Sequence, residues 1–135
     1  MINRTFTAHV RVAQNADVNE PVEVTLSYDG GADPYAVKAA VVITLEEVRI
    51  WDFSRELLVN GAHSLIPYGH GDVKFRRFSD EDIVMMCMRS NEGHADVALP
   101  LEDVLAFLED TEEPYAASQE CDALLDDFLK ELFEG

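Results

Sequence analysis

Asp33-Pro34-Tyr35-Ala36-Val37, then Ala39 to Leu45, then Val48-Arg49-Ile50-Trp51-Asp52-Phe53-Ser54-Arg55-Glu56-Leu57-Leu58, closed by Asn60-Gly61, carries the densest run of structural signals in the chain. It reads as turn, strand, turn, strand, helix. Asp33-Pro34 sets a turn, because proline fixes its own φ and disfavours the α region for the residue ahead of it. The β-branched run Val41-Val42-Ile43-Thr44 suits a strand buried on both faces, and Glu46-Glu47 supply the polar break after it. Val48, Ile50 and Trp51 to Phe53 resume the apolar signal; Ser54 is a candidate N-cap and Gly61 a candidate helix terminator. A third strand over Tyr35 to Leu45 and a fourth over Val48 to Phe53 thus feed directly into a two-turn helix, Ser54 to Asn60.

Working outward, Phe6, Ala8, Val10 and Val12 alternate with polar neighbours, as do Val22, Val24, Leu26 and Tyr28, so two half-buried strands precede that stretch. Gln14 to Pro21 reads as a polar connection and Asp29-Gly30-Gly31 as a turn. After Gly61 the sequence suggests a short strand near His63 to Ile66, a loop at Pro67-Tyr68-Gly69-His70-Gly71, and a strand over Asp72 to Phe78. Ser79 to Asp82 turns into the continuous apolar run Ile83 to Met88, and Asn91-Glu92-Gly93 turns into a last strand, His94 to Leu99. Pro100 then opens a helix with Leu101, Val104, Leu105 and Leu108 at helical spacing, fading by Thr111. Glu112 to Glu120, which contains Pro114, connects to a final amphipathic helix striped by Leu124, Leu125, Phe128, Leu129 and Leu132. Burying those five residues is worth ~1.5–3 kcal/mol each, so that stripe is expected to rest on its own sheet or on a neighbouring subunit. The expected architecture is α+β: two antiparallel four-stranded sheets, one helix between them in sequence, and two C-terminal helices, in a single domain over all 135 residues.

The formal net charge of −17 is the dominant compositional fact. It disfavours polyanions and anionic membranes as partners unless basic residues are segregated into a patch. Twelve carboxylates stand against the single Lys130 from Pro100 onward, whereas nine of the ten basic residues lie before it. No apolar run is long enough to span a bilayer and the N-terminus does not read as a signal peptide, so a cytoplasmic protein is expected. Cys87 and Cys121 lack CxxC spacing and read as buried free thiols.

Catalytic and ligand-binding patterns are lacking in the sequence. Gly69-His70-Gly71-Asp72 has neither the lysine nor the following helix of a phosphate loop. His9, His63, His70 and His94 are scattered without metal-ligand spacing, and Ser54 and Ser64 lack nucleophile-elbow glycines. No catalytic, metal or cofactor-binding residue is assigned, and a non-enzymatic protein is expected. Lys74, Arg76, Arg77 and Arg89 could form a basic stripe beside Tyr68, Phe75 and Phe78, as in a single-stranded nucleic-acid-binding module. Strand-face charges paired with Asp80, Glu81 and Asp82 are the better reading, since the total charge opposes a polyanion.

Asp33-Pro34-Tyr35-Ala36-Val37, the pattern Trp51-x-Phe53-x-Arg55-x-Leu57-Leu58-x-x-Gly61, and Gly69-x-Gly71-Asp72-Val73 together resemble the SsgA-like proteins of sporulating actinomycetes. Ser90-Asn91-Glu92-Gly93, Leu105 to Thr111 and Asp122 to Leu132 are similar to later parts of that family, so the likeness runs over nearly the whole chain. It departs at Ser54, where the family usually has alanine, at Tyr68-Gly69-His70 and at Phe75-Arg76-Arg77-Phe78. The resemblance implies a regulator of sporulation-specific cell division that recruits or positions the tubulin-like protein FtsZ at division septa, in cooperation with other SsgA-like proteins. It also implies a Whirly-like fold and a trimer, with Trp51, Phe53, Arg55, Leu58, Gly69, Gly71 and Asp72 in structural or interface roles. Trp51, the only tryptophan, is expected to organise the core or a subunit contact rather than touch the division partner.

Overall fold

The computed structural model of the chain describes residues 1–12, 15–69, 71–91 and 93–134. Its elements are β1 (Ile2–Val12), β2 (Asn15–Tyr28), β3 (Ala36–Thr44), β4 (Glu47–Ser54), α1 (Arg55–Gly61), β5 (Val73–Phe78), β6 (Ile83–Ser90), β7 (Gly93–Pro100) and α2 (Leu101–Glu134). The α+β class and the antiparallel pairing agree with the sequence reading. The division into two four-stranded sheets does not: the described residues form one seven-stranded sheet, ordered β4-β3-β2-β1-β7-β6-β5.

Two observations account for the difference. β1 pairs on both of its edges, with β2 along its length and with β7 through His9↔Ala98, Val10↔Val97 and Arg11↔Asp96, which joins the halves into one ladder. The eighth strand, expected near His63 to Ile66, is instead a turn whose Leu65 and Ile66 side chains are exposed. It lies beside β5 through single bonds only, Arg77 N to Ser64 O at 2.7 Å and Arg76 Nε to Leu65 O at 2.8 Å.

The sheet curls so that its two terminal strands meet. Phe53 of β4 lies against Phe75 of β5 with ring centroids 4.9 Å apart, an edge-on contact of the kind aromatic quadrupoles favour. The inner face is supplied by alternate residues of every strand, among them Val24, Leu26, Val37, Val41, Val84, Met86, Val97 and Leu99, all buried. α1 adds Leu58, and the first turns of α2 add Leu101, Val104, Phe107 and Leu108. At ~1.5–3 kcal/mol per fully buried large apolar side chain, the four α2 residues hold that end of the helix firmly against the sheet.

The polar segment read as a connection is largely strand. β2 begins at Asn15, and Arg11↔Asn19, Val10↔Glu20 and His9↔Pro21 pair it with β1, whereas β3 joins it only from Glu23 onward. Pro21 is tolerated because its second edge carries no ladder bond there. Residues 13 and 14, and with them the start of that expected connection, lie outside the described residues, as do His70 of the 67–71 loop and Glu92 of the 91–93 turn.

The two expected C-terminal helices are one, α2, with Pro114 inside it. An interior proline normally costs ~3 kcal/mol or more. Tertiary contacts on both sides of it offset that cost: Thr111 is fully buried, and Tyr115 meets the Tyr35 ring at 6.0 Å. The 34-residue helix is about 50 Å long at 1.5 Å per residue. Its second half does not lie on the sheet, and Leu124, Leu125, Phe128, Leu129 and Leu132 are 39–69 % exposed. Docking of that stripe on the chain's own sheet is thereby ruled out.

Candidate functional site

The seven motif residues fall into two sets. Phe53, Arg55 and Leu58 are inside the molecule, and Trp51, Gly69, Gly71 and Asp72 stand at its surface or half-buried beside it. β4 hands the chain to α1 at Ser54, whose hydroxyl accepts a hydrogen bond from the Leu57 amide at 3.0 Å and caps the helix as expected. α1 then runs across β5 so closely that a Cβ at Gly61 would lie 2.2 Å from the Phe75 Cβ, so only glycine fits.

Arg55 is 4 % exposed, and it is the tie between α1 and α2. Its guanidinium donates to Thr111 Oγ1 at 2.9 Å, to the Leu108 carbonyl at 3.1 Å and to Glu112 Oε2 at 2.8 Å. Its plane sits 4.4 Å from the Tyr115 ring centroid. The planar fork and the aromatic stack are features a lysine cannot reproduce. A second tie, Arg4 to Asp103 at 2.9 Å, holds the first turn of α2 to β1.

Between β4, α1 and the segment leading into β5 lies a groove of about 700 Å³. Trp51, Asp52, Phe53 and Ser54 all line it. Consecutive strand residues point to opposite faces, so a cavity touched by four in a row runs along the strand's edge. The groove is therefore the open seam of the curled sheet. Leu57, Pro67, Tyr68 and Val73 complete the apolar wall; Asp52, Glu56 and Asp72 supply carboxylates, and no lysine or arginine lines it among the described residues. Pro67, Tyr68, Gly69, Asp72 and Val73 form the far wall, and Gly69 and Gly71, with φ of +136° and +91°, take backbone conformations that favour glycine. Trp51, expected to organise the core or a subunit contact, packs against the core from its edge. It is half-buried and also lines a smaller cavity of about 290 Å³ on the inner side, with Val41, Met88 and Ala95. The buried aromatic pair is Phe53 with Phe75.

The basic residues divide differently. Lys74 lies opposite Cys87 and Arg76 opposite Met85, while Arg89 is two residues on from Cys87, so these three share the outer face of β5 and β6. Arg11 joins them across Asp96 and Cys87. Arg77 lies opposite Val84 on the inner face, and its buried Nε has no hydrogen-bond partner among the described residues. The expected pairing with the Asp80 to Asp82 turn takes another form: Glu81 bonds Arg11 at 2.9 Å, and Arg76 stacks 4.3 Å from the Phe78 ring centroid. Burial, and then Asp96, push the Cys87 thiol up to about 11. Cys87 is half-buried, and Cys121, expected to be buried, is exposed on α2.

Glu56 was not singled out by sequence, whereas Leu57 stands in the pattern from Trp51 to Gly61; both line the groove. Thr111 and Tyr115, the partners of Arg55, carried no signal, because they lie more than fifty residues away. No helix is long and apolar enough to cross a membrane among the described residues.

Residues 22–120 match the family model described as Streptomyces sporulation and cell division protein, SsgA. The chain is 36 % identical over 106 residues to the sporulation-specific cell division protein SsgB of Streptomyces coelicolor, covering 77 % of this chain and 75 % of that one. It is 34 % identical over 122 residues to SsgB of Salinispora tropica, covering 85 % and 82 %. Among solved structures, the SsgA-like sporulation-specific cell division protein of Thermobifida fusca superposes with a TM-score of 0.74 at 25 % identity over 94 % of both chains. An SsgB structure reported with mutations that correlate to longitudinal cell division during sporulation of Streptomyces coelicolor gives 0.70 at 33 % identity, over 83 % of this chain and 87 % of that one. The chain belongs to the SsgA-like family of sporulation and cell division proteins.

Proposed function

We propose that the chain is a non-enzymatic, homo-oligomeric adaptor of sporulation-specific cell division, cytoplasmic and recruited to septa, where it recruits or positions FtsZ together with other SsgA-like proteins. The observation that supports this reading best is the seam: four of the seven motif residues, Trp51, Phe53, Asp72 and Gly69, line one open groove, with no catalytic set around it among the described residues. A trimer of Whirly-like arrangement belongs to the same reading. Its support is the exposed stripe of Leu125, Phe128, Leu129 and Leu132 on the second half of α2, which calls for cover from another subunit. The test is capture of division proteins by the tagged chain from sporulating cells. Enrichment of FtsZ or another SsgA-like protein is expected; recovery of no division protein sinks the reading.

A second reading, a single-stranded nucleic-acid-binding module, draws on the shared outer face of Lys74, Arg76, Arg89 and Arg11. The net charge of −17 opposes it. Oligonucleotide titration across a salt series separates the two, because a real binder loses affinity steeply as salt rises. No binding at moderate salt is expected.

A further inference from the structure

We infer that the seam takes an extended peptide of a partner protein, one that alternates a large apolar side chain with lysine or arginine, and that this peptide adds as a strand to the free edge of β4. The inference rests on the adaptor reading and names the chemistry of its docking site.

The two walls of the seam are not equivalent. On the β5 side the edge is already engaged, since Tyr68 N donates to Phe75 O at 2.8 Å and Phe75 N to Tyr68 O at 3.0 Å. On the β4 side, Trp51 to Phe53 pair with β3 through Ala39↔Trp51, Lys38↔Asp52 and Val37↔Phe53, and no other described segment bonds their backbone. An uncovered edge at the end of a sheet is a template for one more strand, and peptide recognition by strand addition uses such an edge. The groove beside it, about 700 Å³, is the size that accepts a few side chains rather than a folded domain.

The side chains select what that strand carries. Trp51, Leu57 and Val73 offer apolar contact for residues that point inward from the peptide. Glu56 and Asp72 are exposed, and neither carboxylate has a hydrogen bond or ion pair among the described residues; Asp52 is held by Lys38 at 2.9 Å. A cationic residue in the peptide meets two acids unpaired among the described residues, with no lysine or arginine among the residues that line the groove. The same charge argues against the other occupants. Nucleic acid is repelled, and so is the second half of α2 from another copy, which brings Asp122, Asp126, Asp127 and Glu131.

The test uses the full chain, ¹⁵N-labelled, with three synthetic peptides about eight residues long, the length of a typical strand. One alternates leucine with lysine, one leucine with glutamate, and the third repeats the leucine–lysine sequence with every second amide N-methylated, which keeps charge and side chains but blocks strand pairing. The leucine–lysine peptide is expected to bind, to shift and protect the amides of Trp51 to Ser54, and to weaken as salt rises. The double variant Glu56→Lys with Asp72→Lys, both exposed positions, is expected to melt like the parent and to weaken binding at least ~10-fold, the size of a lost pair of charge contacts. Equal binding of the glutamate peptide or of the N-methylated peptide overturns the inference. So do shifts confined to the outer face of β5 to β7. If the peptides fail while the chain still captures its division partner from sporulating cells, strand addition is wrong and the adaptor reading stands; if they bind at the seam and no division protein is captured, the adaptor reading falls instead.

Discussion

Replacing Arg55 with methionine removes the guanidinium while keeping most of the side chain's stem, and it isolates what the α1–α2 tie contributes. Three donor contacts are lost, but not all are equal. Glu112 is 69 % exposed on its side chain and regains water when the arginine leaves, so that ion pair is worth ~0–1 kcal/mol. The bonds to buried Thr111 Oγ1 and to the Leu108 carbonyl are charge-assisted and desolvated, a class worth ~1.5–3 kcal/mol each. Their loss is softened because Thr111 Oγ1 itself donates to Leu108 O at 3.0 Å, which leaves neither atom wholly unpaired. The stack on Tyr115 adds ~0.5–2 kcal/mol. The net expectation is a loss of ~2–4 kcal/mol, or a fall in melting temperature of ~8–16 °C at roughly 4 °C per kcal/mol for a domain of this size. Circular dichroism at the helical band measures it, and Glu112→Gln serves as the control that shifts the midpoint little. A methionine variant melting within ~2 °C of the parent would refute the tie as the anchor of α2.

Other consequences are as direct. Ser54→Ala removes the cap of α1 and is expected to cost ~1 kcal/mol in chemical denaturation, with Ser54→Asp near neutral. Gly61→Ala forces a methyl into the Phe75 Cβ and is expected to destabilise by ~1–3 kcal/mol or more, whereas a neutral result would show that α1 shifts freely on β5. Trp51→Ala is expected to leave the chain folded and to cost less than Phe53→Ala, because Trp51 is half-buried and Phe53 is buried; the reverse order in melting would restore the tryptophan to the centre of the core. With a thiol reagent at pH 8, exposed Cys121 is expected to react first and Cys87, held as the thiol by a value of about 11, slowly. Because Cys87 is raised from 9.0, its contribution to stability is full below pH 9 and declines as pH rises toward about 11, where denaturation midpoints should fall unless Cys87 is replaced by serine.

The stretch from Asp33 to Gly61 was legible in outline because every signal in it is local. The Val41 to Thr44 run is strand and Ser54 caps α1 as expected, but Ile43 is exposed rather than buried on a second face, Glu47 already pairs with Thr44 as the first residue of β4, and Gly61 is the last residue of α1, with Ala62 as the cap, rather than a left-handed terminator. The joining of the halves was not legible. The pairing of Val10 with Val97 depends on partners 87 residues apart, and alternation along each strand is the same whether they meet or not. The strand from Asn15 to Pro21 was hidden by its polar composition, and the continuity of α2 by Pro114, whose cost is offset by Arg55 from a distant element. The seam was half legible. Trp51, Phe53, Gly69 and Asp72 stood out as a pattern, but only the curl of the sheet shows that they share one groove, and that Arg77 lies on the opposite face from Lys74, Arg76 and Arg89.

The measurement that most directly tests whether the seam is where the division partner sits is site-specific photo-crosslinking in sporulating cells. A crosslinker is placed at Leu57, which lines the seam, or at Arg89 on the outer face of β6. A crosslink from position 57 to a division protein, competed by the leucine–lysine peptide, is expected, and none to that protein from position 89. A crosslink to the division protein from position 89 alone would contradict that expectation.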